Sequence, residues 1–500
     1  MYRTPSANER TRYARFCNYS EAPSYRLVAR LFWLKRSLKV IDLEKHAEEL
    51  LEAALAHGGD LAEIYFESRQ HTSIAFDDNK VDRVITGTDL GVGIRLLAGD
   101  RTLYGHTNEL SLDRLTQLAK TVGAGVSAEK KPVSYQFEPV RHALPVKQPP
   151  QDVPTPRKIE LVREANAAAR AHDPRIAQVS VHYADALKRV IVVNSEGRYV
   201  EDLRPGLIFM VSVVGRDGAV IQSGHHYIGA GQGFELFEEE GPVSVARKAA
   251  RQAALMLDAD PAPTGRMPVV LSSEAGGTMI HEAVGHGLEA DHIEKNMSKY
   301  CGRLGEMIAV PAVTVIDDGT LPGKRGTCSI DDEGTAMERT VLIDAGRLVR
   351  FMTDLRTARK LDLHPSGNGR RQSYEHKPIP RMTNTMIAPG QDDPAAILAG
   401  TERGLFVRKM GGGQVNPLNG DYVFEVTEGY IIQNGEPMTP VRGATLIGNG
   451  PSTLLDIEGV GNDLGFAIGT CGKEGQGVPV GDAQPTLRIR ELTVGGTQQG

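Results

Sequence analysis

Cysteine is scarce in this chain of 500 residues. The four cysteines, Cys17, Cys301, Cys328 and Cys471, are too few and too widely spaced for a disulfide framework. Chains of this kind are typical of reducing compartments, where a free thiolate can serve as a metal ligand. We therefore predict a cytoplasmic protein rather than one stabilised by disulfides.

Long hydrophobic runs and a strong excess of one charge are also missing. No apolar run approaches the roughly 18 residues of a membrane-spanning helix. The net charge of −6 gives no indication of nucleic-acid binding. Hydrophobic residues make up 40% and charged residues 24% of the chain, which is enough to form cores. A chain of this length suggests two or three domains.

The first 40 residues differ from the rest in composition. Residues 1–39 contain nine lysines and arginines, two acidic residues and the only tryptophan. Basic and apolar residues interleave there, as in a helix that binds a membrane surface or in a transit-like segment. The apolar stretch Leu31–Leu34 is too short for the core of a secretory signal. We favour a simpler interpretation, in which residues 1–40 are a disordered or dispensable extension of the chain.

Residues 41–265 are predicted to form an α+β region built from two similar units. Each unit begins with an amphipathic helix, continues as several short alternating strands and ends with a second helix. Five prolines between residues 145 and 156 indicate a linker between the units. The segment Asn194–Gly197 is predicted to be a hairpin turn. The four helices are predicted near 41–56, 111–122, 157–171 and 244–257.

The last part of the chain is rich in glycine. Residues 401–500 contain 21 of the 55 glycines, and short runs of alternating apolar residues lie between them. This pattern predicts tight turns and largely antiparallel strands. Residues 266–500 are therefore predicted to form a β-rich C-terminal domain, and the overall fold class is α+β.

One short motif carries the chemistry. His281 is followed by Glu282, and His286 comes five residues after the first histidine. Far downstream, Cys471 lies between threonine and glycine. Two imidazoles, a carboxylate beside the first and a thiolate are the groups of a zinc-dependent hydrolase site.

The spacing of the two histidines does not suit a regular α-helix. At about 100° per residue, five residues leave the two side chains about 140° apart. Both can reach one metal ion if the helix contains a π-bulge, which aligns residues i and i+5. Both can also reach it if the helix ends at Gly285, so that His286 leaves from a turn. We predict one of these two distortions.

The residues alone leave the third metal ligand open. Glu289, Asp291 and His292 follow the motif closely, and Glu306 lies 20 residues after His286, so each competes with Cys471.

Two charged clusters elsewhere are interpreted more simply. The acidic residues Asp331, Asp332 and Glu333 are expected to be exposed. Arg370 and Arg371 are expected in a solvated loop, although they could instead face a peptide carboxylate.

Six stretches of the sequence resemble one known family, the TldD metalloproteases of the TldD/PmbA superfamily. The resemblance extends over roughly residues 41 to 500. The non-catalytic PmbA/TldE-like branch of that superfamily lacks the metal motif, so the chain resembles the active TldD-like branch. The stretches are 281–291, 332–335, 366–371, 380–385, 411–416 and the segment around Cys471.

The resemblance implies a function and a set of site residues. It implies a zinc ion held by His281, His286 and Cys471, with Glu282 as general base. It also implies unfolded or flexible peptide substrates, and assembly with a metal-free TldE/PmbA-like sister subunit or with a second copy. We predict a zinc metalloprotease on these grounds. Two alternatives remain, a regulatory binding protein with a structural metal and a metal-dependent amidohydrolase that acts on non-peptide substrates.

Overall fold

The computed structural model describes residues 42–127, 137–416 and 418–497. The predicted extension of residues 1–40 lies outside the described residues. The chain divides into two compact units, Met1–His46 and Ala47–Gly500, and only the beginning of the first helix is described in the former. Within the described ranges, no helix has both the length and the apolar character needed to cross a membrane.

The four helices predicted from the sequence are confirmed within a few residues as α1, α2, α3 and α5. Helix α2 begins where Ser111 Oγ accepts a hydrogen bond from the Arg114 N–H, a typical N-terminal cap. The α-helices are α1 (Leu43–Ala54), α2 (Leu112–Gly123), α3 (Thr155–Arg170), α4 (Leu236–Glu239), α5 (Pro242–Leu257), α6 (Thr278–Ile280), α7 (Ala290–Glu294), α8 (Leu355–Leu361), α9 (Pro394–Ala399) and α10 (Gly450–Leu455).

The N-terminal half contains one sheet with the strand order β3-β2-β1-β5-β6-β4, and β7 also pairs with β6. The antiparallel pair β1–β5 joins the strands of the two predicted units, so both units share this sheet. The predicted turn at Asn194–Gly197 is confirmed between β5 and β6, and Gly197 there has a φ of 85°. The strands are β1 (Leu61–Asp77), β2 (Lys80–Ala98), β3 (Arg101–Thr107), β4 (Val140–Ala143), β5 (Ile176–Asn194), β6 (Tyr199–Asp217) and β7 (Val220–Ala230).

Helices α3 and α5 cover one face of this sheet. Their apolar side chains form a buried core with those of β5 and β6, which include Phe209 and Val211. The segment predicted as a linker contains a short 3₁₀-helix, Pro150–Asp152, and continues into α3.

Strands outnumber helices in the C-terminal half, as predicted. Its strands are β8 (Asp260–Pro261), β9 (Gly265–Leu271), β10 (Val315–Asp318), β11 (Arg339–Asp344), β12 (Arg347–Leu348), β13 (Gly369–Arg370), β14 (Ile379–Pro380), β15 (Asn384–Ile387), β16 (Arg403–Val415), β17 (Asp421–Gln433), β18 (Glu436–Arg442), β19 (Thr445–Asn449), β20 (Ile457–Val460), β21 (Gly465–Lys473), β22 (Gln476–Gln484) and β23 (Leu487–Gly495).

Two larger sheets organise these strands. One has the order β16-β9-β23-β19-β17-β18-β8, and an extra pairing of β16 with β17 closes five of its strands into a ring. The other has the order β12-β11-β10-β15-β22-β21, so β21 is its last strand. Most pairs are antiparallel, which confirms the predicted α+β class; β15–β22, β16–β9 and β18–β8 are parallel. The chain leaves β9 directly into the histidine motif, and β21 carries Cys471.

Candidate metal centre

The backbone of the motif is distorted where the sequence predicts it. Residues His281–Gly285 form a π-helical turn, and His286–Leu288 form a 3₁₀ turn after it. The His286 N–H donates to the His281 carbonyl, the i to i+5 bond of a π-helix. Gly285 allows a close contact here, since a Cβ at this position would lie 2.1 Å from Met382 Sδ. The predicted distortion is thus confirmed, and of its two predicted forms it is the π-bulge.

The distortion brings the two histidines together with Cys471. One ligand atom from each of His281, His286 and Cys471 lies within 4.8 Å of the other two. His286 Nε2 is 3.5 Å from Cys471 Sγ, and the two imidazole rings are perpendicular at 5.1 Å. Zn–N bonds of about 2.0–2.1 Å and a Zn–S bond of about 2.3 Å place tetrahedral nitrogen and sulfur ligands about 3.6 Å apart. The donor set therefore fits a zinc ion in composition and in spacing.

Carboxylates on the far side of each imidazole orient the rings. His281 Nδ1 lies 2.6 Å from Asp482 Oδ1, and His286 Nδ1 lies 2.9 Å from Glu289 Oε2. Both contacts leave Nε2 free to act as the ligand atom, the usual arrangement of metal-binding histidines. Lys473 Nζ donates to Glu289 Oε2 at 3.0 Å and so holds this carboxylate in place.

The other candidates for the third ligand form contacts with other charged residues. Glu289, Asp291 and His292 form a compact group of possible ligands. The Lys473 ammonium lies between its two carboxylates, at 3.0 Å from Glu289 and 2.6 Å from Asp291. This group therefore already holds a cation that belongs to the chain. Glu306 lies at the surface and forms an ion pair with a neighbouring arginine.

The charges of the three donors depend on one another. Burial raises the pKa of the Cys471 thiol, but hydrogen bonds from His281 and His286 outweigh burial and lower that pKa to about 5. Burial is the largest single influence on the pKa of His286 and lowers it, but Glu289 and Cys471 together outweigh burial and raise that pKa to about 9. The pKa of His281 is raised well above its usual value in the same way, by Asp482. These shifts favour the thiolate form of Cys471 and the protonated forms of both imidazoles when no metal is bound.

Glu282 lies beside the donors and reaches the cleft. Its side chain is 29% exposed, and its Oε2 is 3.8 Å from His286 Nε2. Burial raises the pKa of this carboxyl above its usual value, although the nearby histidines oppose the shift. A carboxylate so placed can exchange a proton with a molecule in the cleft.

The cleft itself has a volume of about 240 Å³. His225 and Tyr227 of β7 line it, together with Gly411 and Gly412 of β16 and the segment 467–471 of β21. The N-terminal sheet therefore contributes one wall of the site. His225, Tyr227, Asp482 and Lys473 were not identified from the sequence, where each is an isolated polar residue without a motif.

Two expectations about charged clusters are wrong. Asp331, Asp332 and Glu333 are only 1%, 3% and 0% exposed, not at the surface. Arg370 and Arg371 are 4% and 2% exposed, so they do not belong to a solvated loop. Long-range ion pairs explain the burial of several of these charges: Glu333 pairs with Arg95 at 2.5 Å, Arg371 pairs with Glu63 at 2.6 Å, and Asp332 pairs with Arg204 at 2.6 Å.

Family models match three consecutive parts of the chain. They are described as PmbA/TldA metallopeptidase domain 1 at residues 62–127, central domain at 148–257 and C-terminal domain at 264–496. The chain belongs to the PmbA/TldD family of metallopeptidases. It is 37% identical to a metalloprotease TldD homolog of Haemophilus influenzae, over 88% of this chain and 93% of that one. It is 36% identical to a metalloprotease of Methanothermobacter thermautotrophicus, over 88% of this chain and 96% of that one.

Solved structures show the same PmbA/TldD fold. A Thermotoga maritima protein described as a modulator of DNA gyrase superposes with a TM-score of 0.76, at 24% identity, over 91% of this chain and 100% of that one. TldE from Thermococcus kodakarensis superposes with a TM-score of 0.71, at 19% identity, over 90% of this chain and 100% of that one. The fold and the family together make this protein a metallopeptidase of the α+β class.

Proposed function

We propose that this PmbA/TldD-family metallopeptidase uses zinc to cleave unfolded or flexible peptides. His281, His286 and Cys471 are the proposed ligands, and Glu282 is the proposed general base. The observation that carries the proposal is the π-helical turn, which brings two imidazoles and a distant thiolate to one point beside a carboxylate. Two nitrogens and a sulfur are donors that suit zinc rather than magnesium or calcium.

The number of protein ligands supports a catalytic rather than a structural metal. Catalytic zinc sites have three protein ligands and one open position, whereas structural sites have four. When bound, zinc lowers the pKa of water to about 7 and polarises a carbonyl group. This ligand set would leave one coordination position for water or substrate, and His281, Glu282 and Cys471 line the cleft from which either would approach.

The proposed role of Glu282 is proton transfer. Its carboxylate takes a proton from the attacking water and delivers it to the leaving amine. A group with this double role works best when its pKa lies closer to the operating pH than that of an ordinary carboxyl. Burial raises the pKa of Glu282 and so brings it closer to neutral pH than that of an ordinary carboxyl. Asp482 and Glu289 have supporting roles, since they hold the two imidazoles with Nε2 toward the metal position.

Zinc binding at pH 7 is expected to release about two protons, both from imidazoles. The pKa of His286 is raised to about 9 and that of His281 is raised well above its usual value, so both rings carry a proton at pH 7, and an imidazole must lose that proton to bind a metal. Cys471, with a pKa of about 5, is already a thiolate and releases no proton at pH 7. The apparent zinc affinity should therefore rise as the pH increases toward about 9. Calorimetric titration with zinc in buffers of different ionisation enthalpy measures the number of protons released. Release of one proton or fewer would contradict the assignment of a proton to each imidazole.

The shape of the site supports an extended substrate. Strand β21 is the last strand of its sheet and passes along the cleft at Cys471. An extended peptide can add to such an edge through main-chain hydrogen bonds, with little selection for side chains. A cleft of about 240 Å³ admits a strand but not the surface of a compact domain.

The protein is therefore expected to digest a denatured protein at least about ten times faster than its folded form. Compact proteins expose cleavable segments only when they open, and that open population is small. Digestion of one reduced and alkylated protein and of its native form, followed by gel electrophoresis, measures the ratio. Equal rates on both forms would contradict restriction to unfolded chains.

Assembly and location complete the proposal. The proposed partner is a TldE/PmbA-like sister subunit or a second copy of this chain, which would enclose the cleft. The fold shared with TldE from Thermococcus kodakarensis supports a paired assembly of related chains. Light scattering, with and without a candidate sister chain, tests it. The free thiols of Cys301, Cys328 and Cys471 support a location in the reducing cytoplasm.

A further inference from the structure

A second and larger cleft lies beside the metal centre. Its volume is about 620 Å³, and it lies between the N-terminal sheet and the C-terminal half. Thr470 of β21, the residue before Cys471, lines both clefts. A peptide bound along β21 can therefore continue from the metal centre into the larger cleft.

Two arginines in this cleft have no carboxylate partner in the described part of the chain. Arg325 donates from Nε to the Gly469 carbonyl at 3.1 Å and from Nη2 to Thr470 Oγ1 at 3.3 Å. Arg370, which is 4% exposed, donates to the carbonyl oxygens of Met382 and Pro479. All of these acceptors are neutral.

The principal acids of the same cleft are already neutralised by other residues. Glu67 pairs with Lys188 at 3.0 Å, and Asp332 pairs with Arg204 at 2.6 Å. Asp89, at the rim, lies 3.5 Å from a guanidinium nitrogen of Arg69. Glu375 also lines the cleft but is exposed to solvent, so the uncompensated charge in the interior of the cleft is the positive charge of the two arginines.

Two neighbouring guanidinium groups without a counter-ion are costly in a partly dry cleft. Burial and the charge of Arg370 lower the pKa of Arg325 to about 10, in the direction expected for an uncompensated cation. A carboxylate would neutralise the pair, because its two oxygens match the planar fork of a guanidinium.

We propose that this cleft is a carboxylate subsite for the peptide being cleaved, with Arg325 as the residue that contacts the carboxylate. The carboxylate is the C-terminus of the substrate or an acidic side chain close to it. Arg325 donates a hydrogen bond to Thr470, the residue before Cys471. The Arg325 guanidinium therefore lies about 10 Å from the metal donors, a distance that about three residues of an extended peptide span. The enzyme therefore releases short C-terminal fragments. This inference rests on the proposed peptidase function.

The test compares one peptide with a free C-terminus and the same peptide with a C-terminal amide, using the zinc-loaded full chain. We expect kcat/KM to be roughly 10- to 100-fold higher for the free acid, the range for a hydrogen bond to a charged group. Arg325→Gln should reduce this ratio to near one by raising KM for the acid, with the amide unaffected. Arg69→Gln is the matched control, since Arg69 lines the same cleft but already pairs with Asp89, and it should keep the ratio.

A third peptide identifies the source of the carboxylate. It has a C-terminal amide, and glutamate replaces glutamine at one of its last three positions. Faster cleavage of this peptide that depends on Arg325 assigns the subsite to acidic side chains. Equal rates for acid, amide and glutamate peptides in the unaltered chain overturn the proposal, as does a preference that survives Arg325→Gln. Unchanged cleavage of the amide shows that the variant is folded.

The proposal can also fail separately from the peptidase function. If the zinc-loaded chain cleaves none of these peptides, calorimetric binding of the acid and the amide to the same chain replaces the rates. Tighter binding of the acid that Arg325→Gln abolishes supports the subsite without the proposed catalysis. Equal binding of both peptides overturns the subsite.

Discussion

Replacing Glu282 by glutamine is expected to lower kcat at least about 10²-fold while zinc stays bound and the fold is unchanged. Loss of a general base typically costs 10²- to 10⁴-fold, because water must then lose its proton without help. The substitution keeps the size of a side chain that is 29% exposed, so it leaves the packing of the π-helical turn intact. Glutamine cannot accept the proton, and it also removes the negative charge 3.8 Å from His286 Nε2, so the zinc content of the variant has to be measured beside its activity.

The measurement is steady-state cleavage of an unfolded peptide together with the metal content of each variant. Glu274→Gln provides the control, because Glu274 is close in sequence but pairs with Arg408 at the surface. It should leave kcat within a factor of about two, since surface substitutions of this kind usually have small effects. Near-normal turnover of Glu282→Gln would show that this carboxylate is not the base.

Substituting Cys471 by alanine is expected to abolish both zinc binding and activity. The loss of zinc affinity and of activity should exceed the roughly 10- to 100-fold reduction that follows removal of a hydrogen bond to a metal ligand. The reason is that Cys471→Ala removes one of three direct ligands. The two imidazoles also lose the thiolate beside them, so the two positive charges of zinc would meet two imidazolium ions with no thiolate to offset them. His281→Ala should have an equally large effect.

This prediction is tested by measuring the zinc content of each dialysed variant and its rate of peptide cleavage. Cys301→Ala is the matched thiol control, since its Sγ contacts only backbone carbonyls of residues 292 and 293. It should keep one zinc ion per chain and normal turnover. Full zinc retention by Cys471→Ala would overturn the cysteine assignment and return Glu289, Asp291 or Glu306 as candidates.

Features that depend on local periodicity could be predicted from the sequence. The helices α1, α2, α3 and α5 follow from the spacing of apolar residues. The distortion at His281–Gly285 follows from the conflict between a five-residue spacing and the period of an α-helix. The third ligand is different. Periodicity and spacing left several candidates open, and only the family resemblance selected Cys471.

Features that depend on distant pairing could not be predicted. Glu333 and Arg95 are 238 residues apart, and neither has a local signal that names its partner. Asp331–Glu333 was therefore expected at the surface, because an acidic run without partners is normally solvated. The same limit applies to Asp482, which reaches His281 across 201 residues. It also applies to the single sheet that joins the two N-terminal units.

The order in which the site residues occur along the chain determines when the enzyme becomes active during its own synthesis. His286 and Cys471 are separated by 185 residues. At about 5–20 residues per second, a ribosome needs roughly 10–40 s to make that segment. Until Cys471 has emerged, the nascent chain has two of the three proposed ligands and no complete site. On the proposed ligand set, a chain cut short by interrupted translation before Cys471 would therefore have no complete metal site.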